Sequence, residues 1–160
     1  MEQKAIPMEA LVPVLQLQMA HGGEAAVTVT GTSMLPMLTP IRDKVWLRSC
    51  CDQLQCGDVI LYRRENGQYV LHRIVKLSQP MICCGDNQWQ KEYVQQSQVI
   101  AVVTSFYRRG KRYTTNAWTY RLYTWLMIAL LPARRHYIAI RRRLGKLRRA
   151  LRNMNKLFLF

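Results

Sequence analysis

The sequence feature that most restricts the fold is an asparagine-glycine pair, Asn66-Gly67, between two apolar runs at residues 58–62 and 69–77. Asn-Gly readily adopts the positive φ angles of tight hairpin turns, so the two runs are predicted to pair as antiparallel strands. Further runs with strand-like patterns lie on both sides of this hairpin, at residues 26–30, 44–47, 81–84 and 99–106. The sequence therefore predicts a small, mainly β domain of short strands.

The 160-residue chain has the length of one domain, and both of its ends are predicted to be helical. Residues 7–20 carry an apolar face that stops at Gly22-Gly23, as expected of a short helix. We expect residues 1–113 to form the domain and residues 114–160 to form a helical tail. The N-terminus lacks the charged start and continuous apolar run of a signal peptide, so no cleaved export signal is expected.

The net charge of +15 is confined to the last third of the chain. Residues 1–106 hold nine basic and nine acidic side chains, whereas residues 107–160 hold fifteen basic side chains and no acidic one. This partition excludes a uniformly basic nucleic-acid-binding module, and a hydrophobic content of 49% excludes an intrinsically disordered chain. The tail is therefore predicted to meet an anionic surface.

The tail joins an apolar stretch to a basic amphipathic segment. Residues 117–131 are mostly apolar with Arg121 inside, and as a helix they measure about 22 Å against about 30 Å of bilayer hydrocarbon. After Pro132 the apolar residues recur at alternating spacings of three and four, as in an amphipathic helix. This stripe consists of Tyr137, Ile140, Leu144, Leu147, Leu151, Met154 and Phe158, with arginines and lysines between its members.

The pattern of the tail favours peripheral attachment of the protein to an anionic membrane surface. An apolar stripe, basic residues, and the neighbouring rings of Trp118, Tyr120, Tyr123 and Trp125 together suit a lipid interface. Packing of the stripe on the protein's own domain or on another protein is an alternative, and nucleic-acid binding is a weaker one. Because no export signal is expected, the cytoplasmic face of the membrane is favoured over the extracytoplasmic face.

The five cysteines do not follow a metal-binding pattern. They occur as Cys50-Cys51, Cys56 and Cys83-Cys84, an odd number without a CxxC spacing. We expect them to be small buried side chains in a reducing compartment, and we expect no metal or other cofactor.

A serine, a histidine and an aspartate occur in the order of a nucleophile, its base and the group that orients the base. They are Ser33, His72 and Asp86. Ser33 is expected where the chain turns after a strand. His72 is expected within a strand, on the same face as Val70 and Ile74. This apolar setting would lower the pKa of the imidazole and keep the ring neutral, ready to accept a proton.

Four segments resemble the successive sequence boxes of the signal peptidase family and of its serine peptidase relatives, which share a β-rich fold with the LexA-type repressors. The segments are GTSMLP at 31–36, GDVILYR at 57–63, VLHRIV at 70–75 and GDN at 85–87. The resemblance covers residues 30–103 and implies that Ser33, the serine before methionine, is the nucleophile. His72 in its His-Arg-Ile-Val context is similar to the histidine form of archaea and the endoplasmic reticulum, whereas the common bacterial form uses a lysine.

The resemblance leaves two candidates for the group that orients His72. They are Asp86 of the GDN box and Glu92, which stands six positions later where the family leads one to expect aspartate. We favour Asp86 slightly and leave Glu92 open. The family also implies that the backbone N–H of Ser33 binds the oxyanion, while Gly31 replaces the hydroxyl that bacterial members place two positions before the nucleophile.

The activity implied by this resemblance is that of a serine endopeptidase acting at or near a membrane. Its substrates would be leader or signal segments of precursor peptides, cleaved after small side chains. Signal peptidases normally carry a membrane-spanning helix just before the nucleophile, and none is expected here, so a dedicated precursor peptide is as good a candidate as a general secretory substrate. The alternative is a non-catalytic relative that acts as a membrane- or nucleic-acid-binding protein through its basic tail.

Overall fold

The computed structural model describes residues 7–50 and 54–157, which form a β sheet flanked by helices. Its elements in chain order are α1 (Met8–Ala20), β1 (Ala25–Thr28), β2 (Lys44–Ser49), β3 (Val59–Arg63), β4 (Tyr69–Lys76), β5 (Met81–Cys84), β6 (Glu92–Val94), a short 3₁₀ turn (Gln96–Gln98), β7 (Val99–Arg108), β8 (Lys111–Thr114), α2 (Trp118–Ala129) and α3 (Leu131–Leu157). The prediction of a mainly β protein is confirmed.

The strands within these residues form one antiparallel sheet of eight strands in the order β1-β2-β7-β3-β4-β5-β6, with β8 also paired to β7. Strand β7 therefore lies between β2 and β3 and joins two groups of strands. Ser33 follows β1 in the first group, and His72 lies on β4 in the second.

The predicted hairpin at Asn66-Gly67 is confirmed, with a three-residue loop. Arg63 pairs with Tyr69, the Arg64 N–H donates to the carbonyl of Gln68 at 2.8 Å, and Gly67 has a φ of 86°. Glycine suits this last position because L side chains rarely adopt a positive φ. The register places Ile60 opposite His72, so Ile60, Tyr62 and His72 share one face of the sheet.

Two clusters of buried apolar residues lie on the two parts of the sheet. The larger one joins α1 to the β1-β2-β7 part and includes Leu15, Met19, Val45, Leu47 and Val103. The smaller one lies on the β3-β4-β5 part and consists of Ile60, Tyr62, Ile74, Met81, Cys83 and Val94. His72 and Tyr62 are thus held in a packed apolar region.

The two strands that the sequence does not predict are short and lack an apolar pattern. Strand β6 has three residues, and all four residues of β8 are exposed. Strand β8 follows the predicted basic turn at Gly110, where Arg109 and Gly110 both have positive φ. Strand β8 is held by pairing with β7, and β6 is held by pairing with β5 and by one buried side chain, Val94.

The two helices of the tail turn one face toward the sheet and another toward solvent. Tyr120 and Thr124 of α2 are buried, as are Arg134 and Ile138 of α3. The outward residues Trp118 and Trp125 are 76% and 65% exposed. The first three members of the predicted stripe are also exposed, namely Tyr137 (63%), Ile140 (57%) and Leu144 (52%).

The described part of the apolar stripe therefore does not pack on the protein's own domain. The side chains of Leu147, Leu151, Met154 and Phe158 lie outside the described residues. Within the described ranges, no helix combines the length and the apolar character that crossing a membrane requires.

The cysteines differ in burial. Cys83 and Cys84 are buried, as expected, whereas Cys56 is exposed and Cys50 is half-buried. Burial raises the pKa of the Cys83 thiol to about 12, so this side chain is a neutral core residue near pH 7. Cys51 lies outside the described residues.

Candidate active site

Ser33 lies in the turn region that follows β1, beside the loop that contains the GDN segment. The Asn87 N–H donates to the Ser33 carbonyl at 2.7 Å, and the Asn87 side-chain amide donates to the Thr32 carbonyl at 3.3 Å. The Ser33 hydroxyl is 3.5 Å from the Leu71 carbonyl of β4, a long hydrogen bond. The hydroxyl is therefore only weakly held and is close to the strand that carries His72.

His72 presents an unpaired ring nitrogen toward Ser33. The side chain is fully buried, and its Nε2 has no hydrogen-bond partner among the described residues. A Cβ atom added to Gly85 would lie 3.1 Å from His72 Nε2 and 3.1 Å from Ser33 Cβ, so these two atoms flank the same small space. A buried nitrogen without a partner is uncommon, and here it lies close to the predicted nucleophile.

The other ring nitrogen is tied to a chain of hydrogen bonds. The Tyr62 hydroxyl is 3.0 Å from His72 Nδ1 and donates to Glu92 Oε2 at 2.7 Å. Since a phenol has one proton and Tyr62 gives it to Glu92, Nδ1 must be the donor in its contact with Tyr62. Nε2 of the neutral ring then carries a free lone pair, as a general base requires.

Glu92 is fixed on the far side by an arginine. The Arg64 Nε donates to Glu92 Oε2 at 2.8 Å, and a second guanidinium nitrogen of Arg64 forms an ion pair with Glu92 Oε1. Glu92 Oε1 also lies 3.5 Å from His72 Nδ1. The carboxylate closest to the imidazole is therefore that of Glu92.

The electrostatics of this group keep His72 neutral and Glu92 charged. Burial lowers the pKa of His72 to about 4, against the opposing influence of Glu92. Burial acts to raise the pKa of Glu92, but hydrogen bonds from Arg64 and Tyr62 outweigh it and hold that pKa below its usual range. Burial and the contact with Glu92 raise the pKa of Tyr62, so the phenol stays protonated.

Asp86 is engaged elsewhere, although it was the slightly favoured candidate for orienting His72. Both of its carboxylate oxygens accept hydrogen bonds from Arg73, at 2.9 and 2.7 Å, and Tyr123 donates to it at 3.0 Å. Asp86 and Arg73 are both buried. A buried, two-point ion pair of this kind is a structural contact, whereas Glu92, the candidate left open, is the carboxylate at Nδ1.

Arg73 connects the strand that carries His72 to the tail. Besides Asp86, its guanidinium donates to the Gly57 carbonyl at 2.9 Å, to the Tyr120 hydroxyl at 3.0 Å and to Thr124 Oγ1 at 2.9 Å. Burial acts to lower the pKa of Arg73, but its contacts with Asp86 outweigh this and raise it, so the group stays charged. Helix α2 is thus attached to the residue that follows His72.

A cleft of about 540 Å³ opens over Ser33 and His72. One wall is formed by residues 27–34, and the opposite wall by residues 68–72 of the β3–β4 hairpin. Strand β1 pairs with β2 on one side only, and the β5 partner of β4 begins at Arg73, so residues 69–72 have no strand on that side within the described sheet. The cleft therefore lies between two strand edges that can accept an extended chain.

Three residues of this region are absent from the sequence-based candidates, namely Tyr62, Arg64 and Arg134. A signal for Tyr62 was present, since the Asn66-Gly67 hairpin limits the possible registers and one of them places Tyr62 diagonally across from His72. Arg64 lies in the same hairpin. Arg134 belongs to the tail, and no local pattern relates it to this loop.

Among the described residues, no three His, Cys, Asp or Glu side chains are grouped so that they could hold a metal ion.

Comparison with known proteins gave no match to any family model, any curated protein or any solved structure.

Proposed function

We propose that the protein is a serine endopeptidase of the signal peptidase type, with Ser33 as nucleophile and His72 as general base. The observation that carries this proposal is the buried, unpaired Nε2 of His72 beside Ser33, on a ring whose other nitrogen is held by Tyr62 and Glu92. A nucleophile, a base and an oriented second partner of the base are the parts of a serine hydrolase site.

In the proposed mechanism the Ser33 hydroxyl rotates from the Leu71 carbonyl toward His72 and attacks the peptide carbonyl carbon. Nε2 takes the serine proton as the new C–O bond forms. The tetrahedral intermediate then expels the amine, which receives that proton from Nε2, and water hydrolyses the acyl-enzyme by the same steps. Glu92 stabilises the transient imidazolium through Nδ1 and Tyr62.

The substrate would bind as an extended strand in the cleft. The two unpaired strand edges on its walls offer main-chain donors and acceptors to such a peptide. Exposed leader or signal segments of precursor peptides are extended chains of this kind.

Cleavage of a peptide library tests the assignment. The full-length protein is incubated with a mixture of synthetic 14-residue peptides, and new termini are read by mass spectrometry. We expect cleavage after small residues by the wild type, loss of detectable cleavage for Ser33→Ala, and a decrease of about 10²- to 10⁴-fold for His72→Ala.

Ser97→Ala is the matched control, because Ser97 is an exposed serine outside the cleft. Its rate should equal that of the wild type. Undiminished cleavage by Ser33→Ala would remove Ser33 as the nucleophile, and the absence of any cleaved peptide would favour a non-catalytic protein.

We also propose that the tail attaches the protein peripherally to an anionic membrane surface. Support comes from the exposed apolar residues of α2 and α3, which include Trp118, Trp125, Ile140 and Leu144, together with the eleven basic and no acidic side chains of residues 114–160. Exposed tryptophans and aliphatic side chains enter a lipid interface, whereas nucleic acid needs mainly the charge.

A further inference from the structure

The first turn of α3 reaches the loop that lies against Ser33 and His72. Arg134, which is 7% exposed, donates to the Gly85 carbonyl at 2.9 Å and to the Gln88 carbonyl at 3.1 Å. Its second terminal nitrogen donates to the Met127 carbonyl near the end of α2. One guanidinium therefore binds the loop at residues 85–88 to both tail helices.

Burying the Arg134 guanidinium is unfavourable unless its contacts in the fold compensate for the loss of hydration. None of the ion pairs within residues 7–50 and 54–157 includes Arg134, so carbonyl oxygens satisfy a buried cation. A cation in the first turn of a helix also opposes the helix dipole. A buried cation is tolerated only when its N–H groups donate to acceptors, and two of the acceptors of Arg134 are carbonyl oxygens of the loop.

The opposite side of the same loop contacts the candidate catalytic pair. The Asn87 N–H donates to the Ser33 carbonyl at 2.7 Å, and Gly85 borders the space beside Ser33 and His72, where an added Cβ would lie 2.7 Å from the Ser33 carbonyl oxygen and 3.1 Å from His72 Nε2. A shift of this loop would therefore change the distance from Ser33 to the base and would admit water to Nε2.

We propose that Arg134 is a positioning residue of the active site, which fixes the loop at residues 85–88 and through it the placement of Ser33 against His72. The inference rests on the proposed peptidase function. The tail thus contributes to the geometry of the site as well as to the location of the protein. Arg134 contacts carbonyls of the loop and is not itself a catalytic residue.

The test replaces Arg134 by methionine and by lysine in the full-length chain. With a peptide selected from the library, Arg134→Met should lower kcat by about 10- to 100-fold while KM stays within about twofold, because most of the cleft lining lies outside the loop and the reacting groups are misplaced. Arg134→Lys keeps a cation that can reach one carbonyl, so it should recover part of the activity. Arg143→Met, which removes an equal charge from an exposed position of α3, should match the wild type.

A second measurement does not depend on catalysis. Titration of His72 by NMR should give a midpoint near 4 in the wild type and a midpoint closer to 6.5 in Arg134→Met, since water reaches Nε2 when the loop loosens. If Arg134→Met does not fold, both the kinetic measurement and the His72 titration are made on Arg134→Lys.

The inference is overturned if the Arg134 variants keep the wild-type kcat, or if their His72 midpoint does not move. An equal loss of kcat in Arg143→Met would also overturn it. A protein that cleaves no peptide but shows the shifted His72 titration would instead contradict the peptidase proposal and leave the structural coupling in place.

Discussion

Tyr62 separates the imidazole of His72 from the carboxylate that balances it. The phenol accepts a hydrogen bond from Nδ1 and donates one to Glu92, while Arg64 neutralises much of the carboxylate charge from the other side. The imidazolium is therefore less stabilised than it would be by a direct, unshared carboxylate. This arrangement agrees with the low pKa of His72 and favours a ring that is neutral throughout the physiological range.

We predict that the peptidase activity varies little between pH 5.5 and 7.5. With a His72 pKa of about 4 the base is already deprotonated over this range, whereas a base with the ordinary pKa of about 6.5 would lose about tenfold in rate between these limits. Initial rates with one library peptide in constant-ionic-strength buffers measure the profile. A tenfold fall toward pH 5.5 would show that His72 titrates normally.

The same group makes folding stability depend on pH. Because the folded pKa of His72 lies below its unfolded value, the unfolded chain binds the proton more tightly. The contribution of neutral His72 to the free energy of unfolding is fully present above about pH 6.5. It is lost as the pH falls toward 4, and the total loss is on the order of 3 kcal/mol. Denaturant unfolding at several pH values should show this loss in the wild type and a smaller loss in His72→Asn.

At the scale of elements, the loop before β6 and the start of β6 each carry a carboxylate, and the two have different roles. Glu92 lies at the start of β6 beside Tyr62 and His72, whereas Asp86 in the loop joins Arg73 of β4 to Tyr123 of α2. Substitution of each by its amide removes one charge without a large change in shape. The two variants should therefore fail in different ways.

We predict that Asp86→Asn lowers stability and that Glu92→Gln lowers activity. Leaving Arg73 buried without its carboxylate should cost about 3–5 kcal/mol in the free energy of unfolding. Glu92 is partly exposed, so Glu92→Gln should change stability by a smaller amount and reduce kcat by about tenfold or more. Denaturant unfolding and peptide cleavage measure both properties, and the opposite pattern would assign the orienting role to Asp86.

The predictable part of the fold is the part in which side-chain pattern and turn chemistry agree. Asn66-Gly67 and its apolar flanks predict the β3–β4 hairpin, and the six predicted strands are all present. Strands β6 and β8 lack such a pattern because β6 has a single buried residue, Val94, and all four residues of β8 are exposed, so both depend on pairing with a neighbouring strand. Their positions depend on contacts that no local sequence window contains.

The candidate site divides in the same way. Ser33 and His72 lie in recognisable segments, and the structure brings them to the same space beside Gly85. The choice between Asp86 and Glu92 could not be made from the sequence, because it depends on which carboxylate Arg73 has already paired. Tyr62 enters through the hairpin register, which Asn66-Gly67 limits without fixing, and Arg134 enters through helix packing, which requires the tertiary structure.

At the scale of the whole molecule, charge and exposed apolar area are concentrated in the tail, away from a near-neutral sheet domain. We predict that the full-length protein floats with vesicles containing 30% anionic lipid and not with zwitterionic vesicles, and that about 0.5 M salt weakens this binding. Trp118→Ser combined with Trp125→Ser should reduce flotation, because these rings are exposed. Tyr93→Ser combined with Ser97→Ala, two exposed residues of the sheet domain, serves as a control of similar extent.

Binding to DNA is the competing outcome of the same experiment. Retention on DNA with no flotation at low salt would replace the membrane by nucleic acid as the partner. Equal flotation with both kinds of vesicle would show that the basic residues do not select the surface.

The position of β7 in the sheet has a consequence for the order of events during protein synthesis. Ser33 follows β1, which lies on one side of β7 in the sheet, and His72 lies on β4, on the other side of β7. In the described sheet, β7 is the strand that joins these two sides. This strand is completed at Arg108, later in the chain than both residues. A nascent chain that stops before residue 99 therefore carries both groups without the strand that joins the two parts of the sheet, and the proposed peptidase activity could begin only after β7 has been added.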